Sequence, residues 1–156
     1  MEEVLLNQLD PDFKFDVASH PGGENIKACF ACGACTGGCP ASDVDPAYDP
    51  RKIIRMVLLG MREKVLSSDF IWLCIMCHTC SFHCPQDVQF VKVMGVLREM
   101  AAKEGYVDPS FLHNVEEIDR FSQTLRHHMV MSIVDRKSED FSVTPKDILN
   151  QVSDRL

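Results

Sequence analysis

The feature that most constrains this sequence is a cysteine pattern, C-x2-C-x2-C-x3-C-P, which occurs twice. The first copy reads CFACGACTGGCP and the second reads CIMCHTCSFHCP, and each cysteine of the second copy lies 45 residues after its counterpart. The two copies contain all eight cysteines of the chain: Cys29, Cys32, Cys35, Cys39, Cys74, Cys77, Cys80 and Cys84. Any fold for this chain therefore has to position two short, thiol-rich loops.

This spacing has a chemical reason. Three cysteines spaced two residues apart can surround one cube-shaped [4Fe-4S] cluster, because each thiolate reaches a different iron. The fourth cysteine precedes proline, which turns the chain away from the loop, and in two-cluster proteins this cysteine binds the other cluster. The motifs therefore predict one cluster held by Cys29, Cys32, Cys35 and Cys84, and a second held by Cys74, Cys77, Cys80 and Cys39.

Structural zinc and disulfide bonds are the two alternative uses of these cysteines. Zinc sites use C-x2-C pairs, often with histidine, and need neither a third cysteine two residues later nor the trailing proline. A disulfide framework requires a secreted protein, but residues 1–10 (MEEVLLNQLD) are acidic where a signal peptide is basic. The doubled motif therefore favours iron–sulfur clusters over both alternatives.

Length, charge and hydropathy narrow the class of protein further. A chain of 156 residues is long enough for one domain with extensions. Its formal net charge of -7 argues against nucleic acid as a partner, because phosphate binding needs a basic surface. No apolar run approaches the ~20 residues that a transmembrane helix requires. We therefore expect a protein without a transmembrane segment, in the reducing environment of the cytoplasm.

The segment between the motifs is predicted to be helical. Asp49 can cap a helix that starts at Pro50 and ends before Gly60. Its apolar face consists of Ile53, Ile54, Val57, Leu58 and Met61. A second short helix is predicted over residues 69–73, with Ser67 or Ser68 as its cap. The segment lacks the paired alternating runs needed for the sheet of the small βαββαβ ferredoxins.

After the second motif, Asp87 can cap a helix that continues through Lys103 and stops at Gly105. Its inward face is predicted to consist of Phe90, Val93, Met94, Leu97, Met100 and Ala101. Gly95 in the middle of this helix either lets the backbone approach a cluster or serves close helix packing. A further helix beginning at Asp108 is predicted to point Phe111, Val115, Ile118 and Leu125 inward.

The two ends of the chain complete the organisation. The alternation of Phe13, Phe15 and Val17 permits a short strand. Near the other end, a polar stretch (RKSEDFS) precedes an amphipathic helix from Thr144, which either packs on its own core or docks to a partner. We divide the chain into an N-terminal extension (1–25), a two-cluster domain (26–105), a helical extension (106–135) and a linker with a docking helix (136–156).

Three stretches carry a resemblance to a known family: SHPGGENIKACFACGACTGGCP, DPRKIIRMVLLG and IWLCIMCHTCSFHCPQDV. With the helical spacer, the two motifs resemble the α-helical ferredoxin domain of succinate dehydrogenase iron–sulfur subunits over about residues 26–105. Over most of the chain, the three stretches are more similar to the small iron–sulfur subunit of heterodisulfide reductase, its C-type component. The resemblance implies a mainly α fold: an α-helical ferredoxin domain with two [4Fe-4S] clusters, a short N-terminal extension and C-terminal helices.

In that family, the C-type component relays electrons between a flavin- and cluster-rich A-type component, which can bifurcate electrons, and a B-type component that reduces a disulfide. The resemblance thus implies a non-catalytic member of a hetero-oligomeric oxidoreductase complex, whose partners are an A-like flavoprotein and a B-like catalytic subunit. Related complexes occur in methane-producing archaea, where the substrate joins coenzyme M and coenzyme B, and in bacteria that lack those coenzymes. The eight cysteines match the family's eight ligands one for one.

Two other functions stay open. The chain could be the iron–sulfur relay subunit of another oxidoreductase, of the succinate dehydrogenase or glycolate oxidase type. Alternatively, it could be a structural or sensing module whose clusters do not turn over. An independent enzyme is disfavoured, because the clusters use all eight thiols and the sequence contains neither G-x-G-x-x-G nor a P-loop. No substrate site of its own is expected.

The histidines and one basic segment complete the candidate residues. His20 is predicted to be a turn residue rather than a donor to a cluster sulfur. His78 and His83 are predicted either to lie on the surface or to pack by hydrogen bonds around the second cluster. Because His78 and Ser81 replace Gly33 and Thr36 of the first loop, the two clusters are predicted to have unequal reduction potentials. The basic side chains near the spacer helix form a solvated face, offset the charge of a cluster, or meet an acidic partner surface: Arg51, Lys52, Arg55, Arg62 and Lys64.

Overall fold

The computed structural model describes residues 6–134, and this part of the chain is built from helices, without a strand. Its α-helices are α1 (Phe13–Ser19), α2 (Ala34–Gly37), α3 (Pro40–Val44), α4 (Pro50–Leu58), α5 (Arg62–Leu66), α6 (Thr79–His83), α7 (Phe90–Lys103) and α8 (Ser110–Val134). The mainly α fold predicted from the sequence is confirmed. Within residues 6–134, none of the helices has the length and apolar character to cross a membrane.

The chain divides into two compact units, Met1–Leu112 and His113–Leu156. The first unit contains both cysteine motifs and a continuous core of apolar side chains. The described part of the second unit is the remainder of α8. The predicted linker and the helix from Thr144 lie outside the described residues, and the four domain boundaries drawn from the sequence stay predictions.

Helices α4 and α7 supply most of the core of the first unit. Asp49 caps α4 by accepting a hydrogen bond from the Lys52 amide at 3.1 Å, and Pro50 occupies its first turn, as predicted. The inward face predicted for α7 is confirmed, because these side chains are buried: Phe90, Val93, Met94, Leu97, Met100 and Ala101. On α4 the prediction holds for Ile53, Ile54 and Val57. Leu58 is only partly buried, and Met61 lies beyond the end of the helix. Burying such side chains stabilises the fold by roughly 1.5–3 kcal/mol each.

The predicted N-terminal strand is wrong, because residues 13–19 form helix α1. Phe13 and Val17 are buried while Phe15 is half exposed. Positions i and i+4 share a face in a helix as well as in a strand, so the apolar pattern fits both structures. The preceding residues pack beside α5, where the Asp10 amide donates to the Gly60 carbonyl at 2.7 Å.

Arg62 fixes this N-terminal segment rather than contributing to a free basic face. Its guanidinium forms ion pairs with Asp10 (2.9 Å), Asp16 (2.7 Å) and Glu104 (2.7 Å). It also lies over the ring of Phe13. Three carboxylates already use the charge of Arg62, so this residue belongs to an ion-pair network rather than to an open basic face.

Two details of the later helices bear on the predictions. Helix α7 begins at Phe90 with Gln89 as its N-cap, so Asp87 is not the cap. A Cβ atom added to Gly95 would meet no protein atom within 4 Å, so close helix packing does not require this glycine. The prediction that Phe111, Val115, Ile118 and Leu125 of α8 point inward stays a prediction.

Candidate metal centre

The two cysteine loops have the same backbone conformation. Ala31 and Met76, at equivalent positions, both have positive φ (58° and 53°). Gly33 and His78 follow at 88° and 64°, and α2 and α6 then begin at the next residue of each loop. Left-handed φ in non-glycine residues costs about 1–2 kcal/mol each and is typical of functional sites. The sequence repeat is therefore also a structural repeat that holds each thiol set in a strained loop.

The first loop lines a small cavity that is partly open to solvent. Cys29, Cys32 and Cys35 project into it, as does Cys84 from the second motif. The remaining lining is mostly apolar and contains a single cation, Arg51, together with Cys80. Two backbone amides donate to thiols at this cavity, Ala31 to Cys29 and Val88 to Cys84, each at 3.4 Å. The structure thus brings together the four residues predicted to hold the first cluster.

The second set is more deeply buried. Cys74 and Cys80 are 8% and 6% exposed, whereas Cys77 is exposed. Burial is the largest cause that raises the pKa of the Cys74 thiol, and the negative charge of Cys39, which belongs to the first motif, raises it further. Burial likewise raises the pKa of Cys80 most, and the charges of Cys74 and Cys77 add to this effect. The four residues predicted to hold the second cluster are therefore linked by mutual electrostatic interactions.

The two sets of thiols are neighbours. Cys80 lines the first cavity, and its pKa is raised further by the charge of Cys35 from the other loop. Helices α2 and α6 pack together, so closely that a Cβ atom on Gly38 would collide with the His83 ring. This contact explains why the first motif has glycine before its last cysteine, and it agrees with a packing role for His83.

Burial dominates the titration of these thiols. It raises the pKa of Cys35 and Cys74 above the ordinary value and raises that of Cys80 to about 11. Desolvation disfavours the thiolate, so these groups hold their protons at neutral pH in the absence of a positive partner. Iron binding therefore has to release protons from the buried cysteines as it forms thiolate bonds.

Thr36 couples the first loop to α4, and sequence reasoning missed this role. Its hydroxyl donates to the Asp49 carboxylate at 2.6 Å and accepts from the Arg51 amide at 3.1 Å. Asp49 is thereby both the cap of α4 and an anchor for the cysteine loop. Burial opposes ionisation of Asp49, but hydrogen bonds from Thr36 and Lys52 hold its pKa below the usual value.

Arg98 and Tyr48 are two further residues that sequence reasoning missed. Arg98 is 7% exposed and donates to the carbonyl oxygens of Ile71 (2.9 Å), Trp72 (3.1 Å) and Cys74 (2.8 Å). Tyr48 is 1% exposed and lies beside Cys74. The sequence did contain a signal for Arg98, because a charged residue lies four positions after Met94 on the apolar face of a helix. It contained no comparable signal for Tyr48.

His20 and His78 lie at the ends of helices, and structural roles explain their positions. His20 is the C-cap residue of α1, and its Nδ1 lies 2.8 Å from the Asp16 carbonyl oxygen, so the turn-residue prediction fits. His78 is exposed and is the N-cap residue of α6, where its backbone has a left-handed conformation. Its predicted packing against the second cluster stays a prediction.

The donor set fits two [4Fe-4S] clusters. Soft thiolates in apolar surroundings are the ligands that such clusters use. In residues 6–134, no three histidine, cysteine or acidic side chains converge in the way a single metal ion requires, and the thiols instead surround a cavity. Within residues 6–134 the buried hydroxyl of Tyr48 has no hydrogen-bond partner, as expected for a group that faces a bound anion.

Comparison with known proteins gives the same result. Residues 28–89 match a family model described as "4Fe-4S dicluster domain". The chain is 35% identical over 111 residues to the C-type component of the H(2):CoB-CoM heterodisulfide,ferredoxin reductase of Methanothermobacter thermautotrophicus, covering 70% of this chain and 59% of that protein. It is 49% identical over 82 residues to a C-type iron–sulfur component of the CoB--CoM heterodisulfide reductase of Methanocaldococcus jannaschii, covering 53% and 43%.

A third relative is the C-type iron–sulfur component of the CoB--CoM heterodisulfide reductase of Methanopyrus kandleri, which is 41% identical over 111 residues. This match covers 67% of the chain and 57% of the relative. The chain thus spans about half the length of the curated relatives it matches. The resemblance inferred from the three sequence stretches is confirmed.

Proposed function

Because this chain is a dicluster iron–sulfur protein homologous to the C-type components of heterodisulfide reductases, we propose that it relays electrons within a heterodisulfide-reductase-like complex. Its partners in this proposal are an A-like flavoprotein that also carries iron–sulfur clusters, and a B-like catalytic subunit that reduces a disulfide. In this proposal, the chain carries electrons between these two partners. The cytoplasmic location expected from the sequence belongs to the same proposal.

One observation carries this proposal: the thiols of the two loops are interleaved. Cys84 lines the cavity of the first loop, and Cys39 interacts with Cys74 of the second. The exchange supports the ligand sets Cys29, Cys32, Cys35, Cys84 and Cys74, Cys77, Cys80, Cys39. The two redox sites adjoin each other at Cys35 and Cys80, which favours electron transfer between them. A purely structural role would not require the two sites to be so close.

When bound, a [4Fe-4S] cluster supplies one-electron chemistry. The chain's own residues hold and tune it. Backbone amides such as that of Ala31 donate to the thiolates, and such bonds raise the reduction potential by stabilising negative charge. Core residues such as Val88 and Phe90 line the first cavity and exclude water from it. The protein thereby fixes the potentials and the separation of the two sites.

Apolar side chains exposed around the loops support a role inside a complex. Phe30 and Ile75, each directly after the first cysteine of its motif, are 60% and 53% exposed, and Phe82 is 89% exposed. Exposed apolar residues grouped at one site mark protein contacts more often than isolated ones do. In the sequence, Phe30 and Ile75 lie two residues before the exposed Cys32 and Cys77, where electrons would enter and leave.

The basic face of α4, defined by Arg51, Lys52 and Arg55, is a candidate contact for an acidic partner. All three side chains are exposed and line one surface groove, and Arg51 also lines the first cysteine cavity. We expect the double variant Arg51→Glu/Arg55→Glu to slow association with the partner subunits about tenfold at low salt, because steering by opposite charge is lost. The measurement is the association rate as a function of ionic strength.

Arg120→Glu/Arg126→Glu is the matched control for charge reversal, because it makes the same change on exposed positions of α8. We expect the wild-type rate to fall with salt and the α4 variant to be nearly insensitive to it. Equal salt dependence in all three proteins would remove the α4 face as a docking site.

The relay itself is tested by isolating the chain anaerobically with its native partners. We expect it to copurify with a flavoprotein and a cysteine-rich catalytic subunit. In rapid-freeze electron paramagnetic resonance, both of its clusters should become reduced at least as fast as the complex turns over. Clusters that stay oxidised during turnover would instead indicate the structural or sensing role.

A further inference from the structure

The surface groove on α4 and the cavity of the first cysteine loop are lined by the same helix. Ile54, which is 2% exposed, lines the cavity, whereas Lys52 and Arg55 line the groove together with Leu59. Arg51 lines both of them. A molecule that contacts Arg51 in the groove is therefore within the length of one arginine side chain of the first cluster-binding site.

Hydrogen bonds join the groove to the first cysteine loop. Thr36 directly follows Cys35 in this loop. Its hydroxyl donates to the Asp49 carboxylate at 2.6 Å and accepts from the Arg51 amide at 3.1 Å. The Arg51 side chain also lies against the loop, because its Nη1 atom is 3.6 Å from the position of a Cβ atom added to Gly33. These contacts hold the groove close to the thiols of the loop, and electron transfer slows steeply with distance.

The groove is positively charged on a chain that is acidic overall. Within residues 6–134, Arg51, Lys52 and Arg55 form no ion pair, whereas Arg62 forms three. The net charge of the whole chain is -7. An acidic partner is therefore repelled by the chain as a whole and attracted to this groove, which steers it to one docking position. Leu59, which is 55% exposed, adds apolar area to the same contact.

We propose that the α4 groove is the port through which the first site, held by the first loop and Cys84, exchanges electrons with an acidic one-electron carrier protein. One electron passes between the cluster of the first site and the redox centre of the carrier, so that one is oxidised as the other is reduced, and no bond forms or breaks. This inference rests on the proposed electron relay and assigns one of its two ends. The second site exchanges electrons with the first and not directly through this groove.

The first test uses a small anion, cobalt(III)–EDTA, which accepts one electron and becomes cobalt(II)–EDTA. The full chain is isolated anaerobically with its clusters, reduced and mixed with this anion, and cluster oxidation is followed by absorbance. We expect Arg51→Glu/Arg55→Glu to slow the oxidation about tenfold at low salt. Arg120→Glu/Arg126→Glu makes the same change of charge on exposed positions of α8 and should keep nearly the wild-type rate. Equal slowing in both variants would overturn the inference, because net charge would then explain it.

Two single-cluster proteins determine which site the groove serves. Cys32 and Cys77 are exposed and occupy equivalent positions of the two loops. Cys77→Ser should therefore keep the first cluster, and Cys32→Ser the second. Adding Arg51→Glu/Arg55→Glu should slow oxidation of the Cys77→Ser protein and leave that of the Cys32→Ser protein unchanged. An equal effect in the two proteins would overturn the inference.

A redox-inert anion gives a measurement that does not depend on electron transfer. Hexacyanochromate(III) is paramagnetic, and it should shorten the spin relaxation of the reduced cluster more in Cys77→Ser than in Cys32→Ser. Adding Arg51→Glu/Arg55→Glu should remove this difference. Equal relaxation in the two single-cluster proteins would overturn the inference and leave the relay intact. A wild-type chain that holds fewer than two clusters would instead overturn the proposed function.

Discussion

Replacing Cys39 with serine will remove the cluster of the second loop and spare that of its own loop. Cys39 precedes Pro40 at the start of α3, and its charge acts on Cys74 rather than on the cavity of the first loop. We expect anaerobically isolated Cys39→Ser to contain about half the wild-type iron. Cys84→Ser should show the reciprocal loss, because Cys84 lines the cavity of the first loop.

Double variants determine which cysteines share a cluster. With exchanged ligands, Cys39→Ser/Cys74→Ser removes two ligands of one cluster and should keep as much iron as Cys74→Ser alone. Cys39→Ser/Cys29→Ser should lose nearly all iron, because it damages both clusters. The opposite result for the two pairs would mean that each motif binds its own cluster.

Ser42→Ala is the control for substitution in the same short helix. Ser42 lies on α3, and its buried hydroxyl has no hydrogen-bond partner in the part of the chain that the structure describes. Removing an unpaired hydroxyl costs nothing in hydrogen bonding, so this variant should keep both clusters and the wild-type melting temperature. A loss of iron in Ser42→Ala would show that the Cys39 effect comes from damage to α3.

Local signals in the sequence were sufficient for the helices around the site. Asp49 and Pro50 mark the start of α4 because capping is a local interaction, and the apolar period of α7 identifies its buried face. The repeated cysteine spacing likewise predicted two equivalent loops, and Ala31 and Met76 have nearly the same φ. These features depend on residues a few positions apart.

Features that depend on distant residues were missed. The sequence places Arg62 beside other basic residues, but its carboxylate partners come from residues 10, 16 and 104. Nothing near Tyr48 in the sequence indicates that it lies beside Cys74. Contacts between residues that are distant in the sequence cannot be predicted from the residues next to them.

Replacing Arg98 with methionine will destabilise the cluster-binding unit far more than replacing an exposed arginine. Arg98 donates to three carbonyl oxygens in residues 71–74, and it is 7% exposed. Methionine fills a similar volume but leaves these acceptors without a donor, at about 1–3 kcal/mol for each buried one. The total is about 3 kcal/mol or more, which corresponds to a melting temperature lower by about 6–12 °C.

The loss should be selective for one cluster. The Arg98 bonds hold the segment that leads into Cys74, so iron should leave the Cys74-containing set first on warming. The measurement is anaerobic thermal unfolding at one scan rate, with iron release followed in parallel. Arg120→Met, at an exposed position of α8, is the matched control and should unfold like the wild type.

Arg98→Lys separates the charge of this side chain from its geometry. Lysine keeps the positive charge near Cys74, but a single ammonium cannot reproduce the planar fork that reaches three carbonyl oxygens. If the carbonyl bonds dominate, Arg98→Lys will unfold nearly as early as Arg98→Met. If the charge dominates, it will keep its iron as the wild type does. Wild-type melting and iron content in Arg98→Met would contradict both roles, because three buried carbonyls would then have found other donors.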